Sequence, residues 1–424
     1  MKITHSRPSR LLSLVLAGTI LLTAGCGAPK VQPFPSVDTP PVQNTQAAPS
    51  TPQPTALAAE TARSVFVPQV VSEAGTSEPV AAAPTPTAAD TPLPSPTLPS
   101  TPEPSPTPEP MKLADWPALS LAEWPRPAND NGLCMHNIGE QYYDEQNLNL
   151  QIGRLKEMNI RWTVLLYGDE NMLKIAAPMF RDAGITVIWR KMLRADERYF
   201  DWGRDIQVLR DLGVEPYMQL YNEPSLSAEW NSDIDQARFN ENFISAVTQV
   251  YNAGGYVGVQ MVDDAWLVTA LDEIKRRGGE KVFGRMFLIP HPYGLNHPPD
   301  YTADTNGVLG FLDQARIVSD TIGFVPPMIA GEGGWKWNAT DDANYPPIDA
   351  ERHRDYHLAV FNWFRTGQLS NGQPLPDTLF AFCPWLLSSK LDDSAWFDSF
   401  YGDHTPTIDA VKALPVFQRK FSWE

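Results

Sequence analysis

The sequence predicts an α/β fold, a (β/α)8 TIM barrel preceded by a signal peptide and a disordered linker. Three observations carry this. From about residue 129 onward the chain alternates strand-like and helix-like segments eight times, the count that such a barrel requires. The strand-like segments are continuous apolar runs, as suits a parallel sheet covered by helices. An open doubly wound sheet would usually carry a Gly-rich phosphate turn after an early strand; here Gly331-Glu332-Gly333-Gly334 comes late and has no helix directly behind it.

In chain order, the strands are expected at Gly132–His136, Arg161–Tyr167, Thr186–Arg190, Tyr217–Tyr221, Tyr256–Val262, Met286–Ile289, Met328–Ala330 and Leu379–Pro384. The helices between them are expected at Glu145–Met158, Asn171–Ala183, Asp205–Leu212, Asp235–Asn252, Trp266–Arg277, Gly310–Thr321 and Asp349–Arg365, with a last one near Thr407–Ala413. Gly184, Gly213 and Gly254 each follow a helical pattern and act as stop signals.

The chain ahead of the barrel is of another kind. Between Pro29 and Pro110 it holds 21 of its 41 prolines, no Trp or Tyr, and only Lys30 and Arg63 as cations. Such a stretch buries too little apolar surface to offset its ordering entropy and reads as an extended tether. Before it, Lys2, Arg7 and Arg10 precede the apolar run Leu11–Leu22, too short to span a bilayer as a mature helix. This segment, ending Thr23-Ala24-Gly25-Cys26, resembles a bacterial lipoprotein signal, with Thr23 where Leu is usual and Leu22 one place early. The resemblance implies cleavage before Cys26, lipidation of its thiol, and an extracytoplasmic protein held to the cell membrane or cell surface. The expected domains are thus a signal at 1–25, a linker at 26–110 and a catalytic barrel at 111–424.

A net charge of −17, with no basic face evident for phosphate, argues against nucleic acid as a partner. Only Cys134 and Cys383 remain beyond the linker. They fall on the first and last strands, and because parallel neighbours rarely offer disulfide geometry, two buried free thiols are expected. A monomer is expected, with no cofactor and no metal.

Barrel chemistry sits at the C-terminal ends of the strands. Collecting those ends gives His136 and Asn137, Tyr167 with Asp169, Arg190, Asn222 and Glu223, Asp263 and Asp264, His291 and Tyr293, Glu332, and Trp385. Asn222-Glu223-Pro224 stops an apolar run abruptly, since proline cannot continue a central ladder. Glu332 ends a second such run. Two carboxylates facing each other across a barrel suit glycoside hydrolysis, in which one acid protonates the leaving oxygen and the other attacks the anomeric carbon or activates water.

These residues, in strand order, resemble the clan A glycoside hydrolases, the group containing family 5 cellulases and mannanases and family 39 xylosidases. The resemblance spans residues 129 to about 415. It implies a retaining β-glycosidase acting on polysaccharide or glycan, with Glu223 as acid/base and Glu332 as nucleophile. It also implies Asn222 as partner of the sugar 2-hydroxyl, Tyr293 as donor to Glu332, His291 beside the acid/base and Trp385 as the floor under the sugar. His136, Arg190 and Trp335 join the expected substrate-binding set. Family 5 enzymes carry an Arg near the end of the second strand; this chain has Tyr167-Gly168-Asp169 there, and Arg190 on the third.

Other patterns have plainer readings. Asp263 and Asp264 point to opposite faces of a strand, so one is expected to cap the following helix rather than share a metal. His353 and His357 stand four apart on a helix without a zinc-protease Glu, and read as a solvated face. The loop Trp335–Pro347, with Trp337, Asn338 and Tyr345, is expected to shape sugar-stacking subsites. For Glu223 a raised pKa is expected, as a proton donor requires. The alternatives are a non-catalytic carbohydrate-binding or adhesion protein on the same barrel, and a metal-dependent barrel enzyme.

Overall fold

A computed structural model describes residues 109–137 and 144–424. The signal, Cys26 and nearly all of the linker lie outside the described residues. The described part belongs to one unit, Leu98–Glu424.

Eight parallel strands follow one another in sheet order: β1 Cys134–Asn137, β2 Trp162–Tyr167, β3 Thr186–Lys191, β4 Tyr217–Gln219, β5 Tyr256–Val259, β6 Met286–Leu288, β7 Met328–Ala330 and β8 Leu379–Phe382. The helices are α1 Glu145–Glu157, α2 Glu170–Asp182, α3 Trp202–Asp211, α4 Gln236–Asn252, α5 Asp264–Arg276, α6 Phe311–Ile322, α7 Ala350–Thr366 and α8 Thr405–Lys412. Leu133 bridges Phe382 in parallel, and the His136 amide donates to Pro384 O over 3.1 Å, so β8 meets β1 and the barrel closes.

Six helices start on aspartate, and in five of them the side chain caps the first turn. Asp144, Asp169, Asp235, Asp263 and Asp349 each accept a backbone N–H of the first turn, which satisfies donors that the helix leaves unpaired. Asp263 is therefore the cap expected from the Asp263-Asp264 pair. The strands β4, β5, β6 and β8 stop short of their expected ends, because Leu220–Glu223, Gln260–Val262, Ile289–Tyr293 and Cys383–Trp385 depart from regular strand geometry to form the mouth.

The core has two layers. Between sheet and helices it is chiefly aliphatic and aromatic. Inside the barrel it is largely aromatic, with Trp162, Tyr217, Tyr256, Phe287 and Phe380 beside Val164, Ile188 and Ile329. Trp124 plugs the end opposite the mouth, its ring 6.0 Å from Tyr217, 5.0 Å from Tyr256 and 6.3 Å from Phe287. It is carried by a strap, residues 111–124, that runs along the C-terminal ends of the helices: Met111 N donates to Arg277 O over 2.9 Å, and Ala114 N to Asn252 Oδ1 over 2.7 Å.

Two expectations are corrected. Cys134 and Cys383 form a disulfide. Both side chains point into the barrel, and at the closing seam their Cα atoms approach to 4.3 Å, within bonding reach despite the parallel strands. His353 and His357 are not solvated; both are wholly buried. The short helix α8 and the loop before it cover that face of α7, with His353 Nδ1 2.7 Å from Thr407 Oγ1 and the His353 ring 5.0 Å from that of His404.

Candidate active site

The mouth is assembled from strand ends that leave regular geometry. After β4 the chain turns at Glu223, whose φ of 36° lies in the left-handed region although Pro224 follows. A residue before proline is normally extended, so this conformation is strained and is held by its surroundings. Gln260 Oε1 accepts the Glu223 N–H over 2.5 Å, and the Leu226 N–H caps the Glu223 carbonyl over 2.9 Å. After β7, glycines allow two segments to lie side by side. A side chain at Gly331 would meet Ile289, and one at Gly334, where φ is 79°, would meet His357. Tyr293 and Gly334 thereby form a parallel bridge that sets the His291–Tyr293 segment next to Glu332.

Glu223, Glu332, His291, Tyr293, Arg190 and His136 converge. Glu223 Oε1 lies 2.8 Å from His291 Nδ1. Arg190 Nη1 donates to Glu332 Oε1 over 2.5 Å and the Tyr293 hydroxyl to Oε2 over 2.9 Å, so both Glu332 oxygens are held. His136 Nε2 stands 3.6 Å from Glu332 Oε1 and 3.3 Å from Arg190 Nη1. One carboxylate oxygen of Glu223, one of Glu332 and a ring nitrogen of His291 all lie within 4.8 Å of one another. Trp385 packs on His136 with ring centroids 4.6 Å apart, and its indole N–H donates to Asp392 Oδ2 over 2.6 Å. The Trp385–Leu386 peptide is cis.

Burial pushes the Glu332 carboxyl up, but the neighbouring His291 and the Arg190 guanidinium outweigh it and hold the group below the ordinary carboxylate range. Glu223 follows the same direction: burial raises it, and the hydrogen bond and charge of His291, with Arg190 and Lys336 beyond, bring it down. The expectation of a raised Glu223 is therefore reversed, because the hydrogen bond and charge of His291 favour the carboxylate. Burial drives His136 to about 3, so it is a neutral ring.

Asn222 is buried at the rim. Trp335 is not in the mouth: it is 1% exposed, its indole N–H donates to His297 O over 2.7 Å, and it packs against Tyr356 and His357. In the same loop Trp337 leans on His404 and Tyr345 on His297, so these rings contact the protein itself. Asp169 and Asp263 cap helices, and Tyr167 points outward to Asp205 over 2.8 Å. Sequence reasoning missed Gln219, Gln260, Glu229 and Asp392. The glutamines had a signal: each is a lone polar residue inside an apolar strand run, and a buried amide must find partners.

No protein-family model matches the chain, and no curated protein sequence matches it. Among solved structures it is similar to a monomeric beta-xylosidase from Caulobacter crescentus CB15, 17% identical, over 68% of this chain and 69% of that one, with a TM-score of 0.45. A β-glucuronidase from Ruminococcus gnavus in complex with D-glucuronic acid is 13% identical over 66% of this chain and 48% of that one, TM-score 0.38. A truncated 3-deoxy-D-arabino-heptulosonate 7-phosphate synthase from Thermotoga maritima is 9% identical over 70% and 89%, TM-score 0.37. Any functional reading rests on the geometry of the site itself.

Proposed function

We propose that this protein is a retaining β-glycoside hydrolase acting on polysaccharide or glycan, with Glu332 as nucleophile and Glu223 as acid/base. The observation that carries the reading is the approach of the two carboxylates, with one oxygen of each within 4.8 Å. A retaining pair stands roughly 5 to 5.5 Å apart, whereas an inverting pair needs roughly 6.5 to 9.5 Å to admit a water. The two groups also differ in their partners, as their roles demand. Arg190 and Tyr293 keep Glu332 ionised and aimed. Glu223 Oε1 lies 2.8 Å from His291 Nδ1, close enough for a proton to pass between them beside the leaving oxygen.

In the first step a Glu332 oxygen attacks the anomeric carbon while the Glu223–His291 pair releases its proton to the departing oxygen. The glycosyl-enzyme bond neutralises Glu332. In the second step Glu223 takes a proton from water, the water oxygen attacks the anomeric carbon, and Glu332 leaves as carboxylate. Asn222 would hold the 2-hydroxyl and Trp385 would lie beneath the ring. The N-terminal segment would tether the enzyme outside the cell through a lipid on Cys26.

The test is hydrolysis of a β-glycan panel by the full chain and its variants. Glu332→Gln should lose about a thousandfold or more in kcat. Glu223→Ala should lose far less on an aryl glycoside whose leaving group needs no proton than on a natural glycan. Near-normal turnover by Glu332→Gln would overturn the assignment, and glycan binding without any product release would favour a binding protein. The same Glu223–His291–Glu332 cluster could ligate a divalent cation. Against that stands the Arg190 guanidinium, already 2.5 Å from Glu332; under the glycosidase reading a chelator leaves activity unchanged.

A further inference from the structure

Asn222 does not hang free in the mouth. Gln219 Nε2 donates to its Oδ1 over 3.3 Å, and its own Nδ2 donates to Oε1 of Glu229 over 3.0 Å. A carboxylate only accepts, so the second bond fixes which end of the amide carries the hydrogens. One Nδ2 hydrogen is spent on Glu229 and the other is left to point elsewhere. Glu229 lies in a short 3-10 turn, Ser227–Glu229, after β4, with its side chain 18% exposed and Arg194 Nη1 3.8 Å from its other oxygen. The turn is anchored without that carboxylate: the Trp230 indole N–H donates to Pro224 O over 2.8 Å, and Ala195 N donates to Glu229 O over 2.8 Å.

We infer that Glu229 is a positioning residue that aims the remaining Asn222 N–H at the substrate hydroxyl next to the reacting carbon. This rests on the glycosidase reading above. The contact matters most as charge develops on the sugar, because hydrogen bonds to the 2-hydroxyl strengthen in the transition state. Loss of Glu229 frees the amide to rotate and present its acceptor instead. The cost should then fall on kcat rather than KM, and only on substrates that carry the hydroxyl.

The experiment compares the full chain with its Glu229→Ala and Glu229→Gln variants on an aryl β-glycoside and on its 2-deoxy counterpart. Glu229→Ala should lower kcat on the parent glycoside about 10- to 100-fold, the size of one hydrogen bond to a charged group, with KM little changed. On the 2-deoxy glycoside it should match the unaltered enzyme within about twofold, and Glu229→Gln, which keeps an acceptor oxygen, should recover most of the loss. An equal loss on both substrates, or none on the parent, would overturn the inference while leaving the glycosidase reading intact. Absence of turnover by the unaltered enzyme on every glycoside would overturn both. Should Glu229→Ala not fold, the Glu229→Gln and Glu229→Leu pair decides in the same way.

Discussion

At the residue scale the site depends on what surrounds Glu332. Its carboxyl is held below the ordinary range against burial, so it remains ionised until the pH falls through that depressed value. Removing a stabilising partner raises the value, and the acid limb of the rate profile moves to higher pH. Arg190→Met and Tyr293→Phe should each shift the acid limb of kcat/KM upward, Arg190→Met further because it deletes a full charge. A pH–rate profile of each variant checks this, and an unmoved limb would mean that Glu332 does not set it. Glu332 was legible in the sequence because glycines flank it, leaving a carboxylate little structural work. Glu223 was legible because proline follows. Its lowered pKa was not, since that depends on a ring nitrogen delivered from β6, and Glu229 was hidden because its role passes through another side chain.

At the scale of elements, α7 shows where pattern reading fails. His353 and His357 share a helix face that looks solvated by polarity, but α8 and the loop before it seal that face. Burial drives His357 down to about 4 and His353 well below the normal histidine value. Both rings are therefore neutral in the folded protein and protonate once it unfolds. Between an unfolded pKa of about 6.5 and the folded value of about 4, the unfolded state binds more protons, so stability falls as pH drops through that window. Thermal unfolding of His357→Gln should show a weaker loss of Tm between those pH values than the unaltered chain; an unchanged slope would count against the histidines as its source. The strands themselves were readable because parallel β-strands are apolar on both faces. Their ends were less so, because the last residues before the mouth are apolar yet depart from regular strand geometry.

At the scale of the molecule, the barrel was legible as a count of repeats, while the covalent bond across its closing seam was not. The Cys134–Cys383 disulfide joins residues 249 apart across the β1–β8 seam. In the chain-entropy model a loop of that length contributes roughly 5 kcal/mol at most. Reduction under otherwise identical conditions should lower Tm by several degrees, with the barrel still closed by its ladder. Trp124 is 3% exposed at the opposite pole. Trp124→Ala should cost about 3–5 kcal/mol by leaving a cavity among Tyr217, Tyr256 and Phe287, and denaturant unfolding should record that loss while kcat stays near its starting value.

The strap that carries Trp124 also fixes where the barrel can be gripped. Because Met111 is pinned at the end of α5, a bead or surface coupled upstream of it meets the barrel at the pole away from Glu223 and Glu332. An immobilised preparation made that way should digest a soluble polymer as fast as the free protein does. Attachment through Lys336, whose ammonium stands 5.4 Å over the Tyr293 ring, should shade the cleft and slow it.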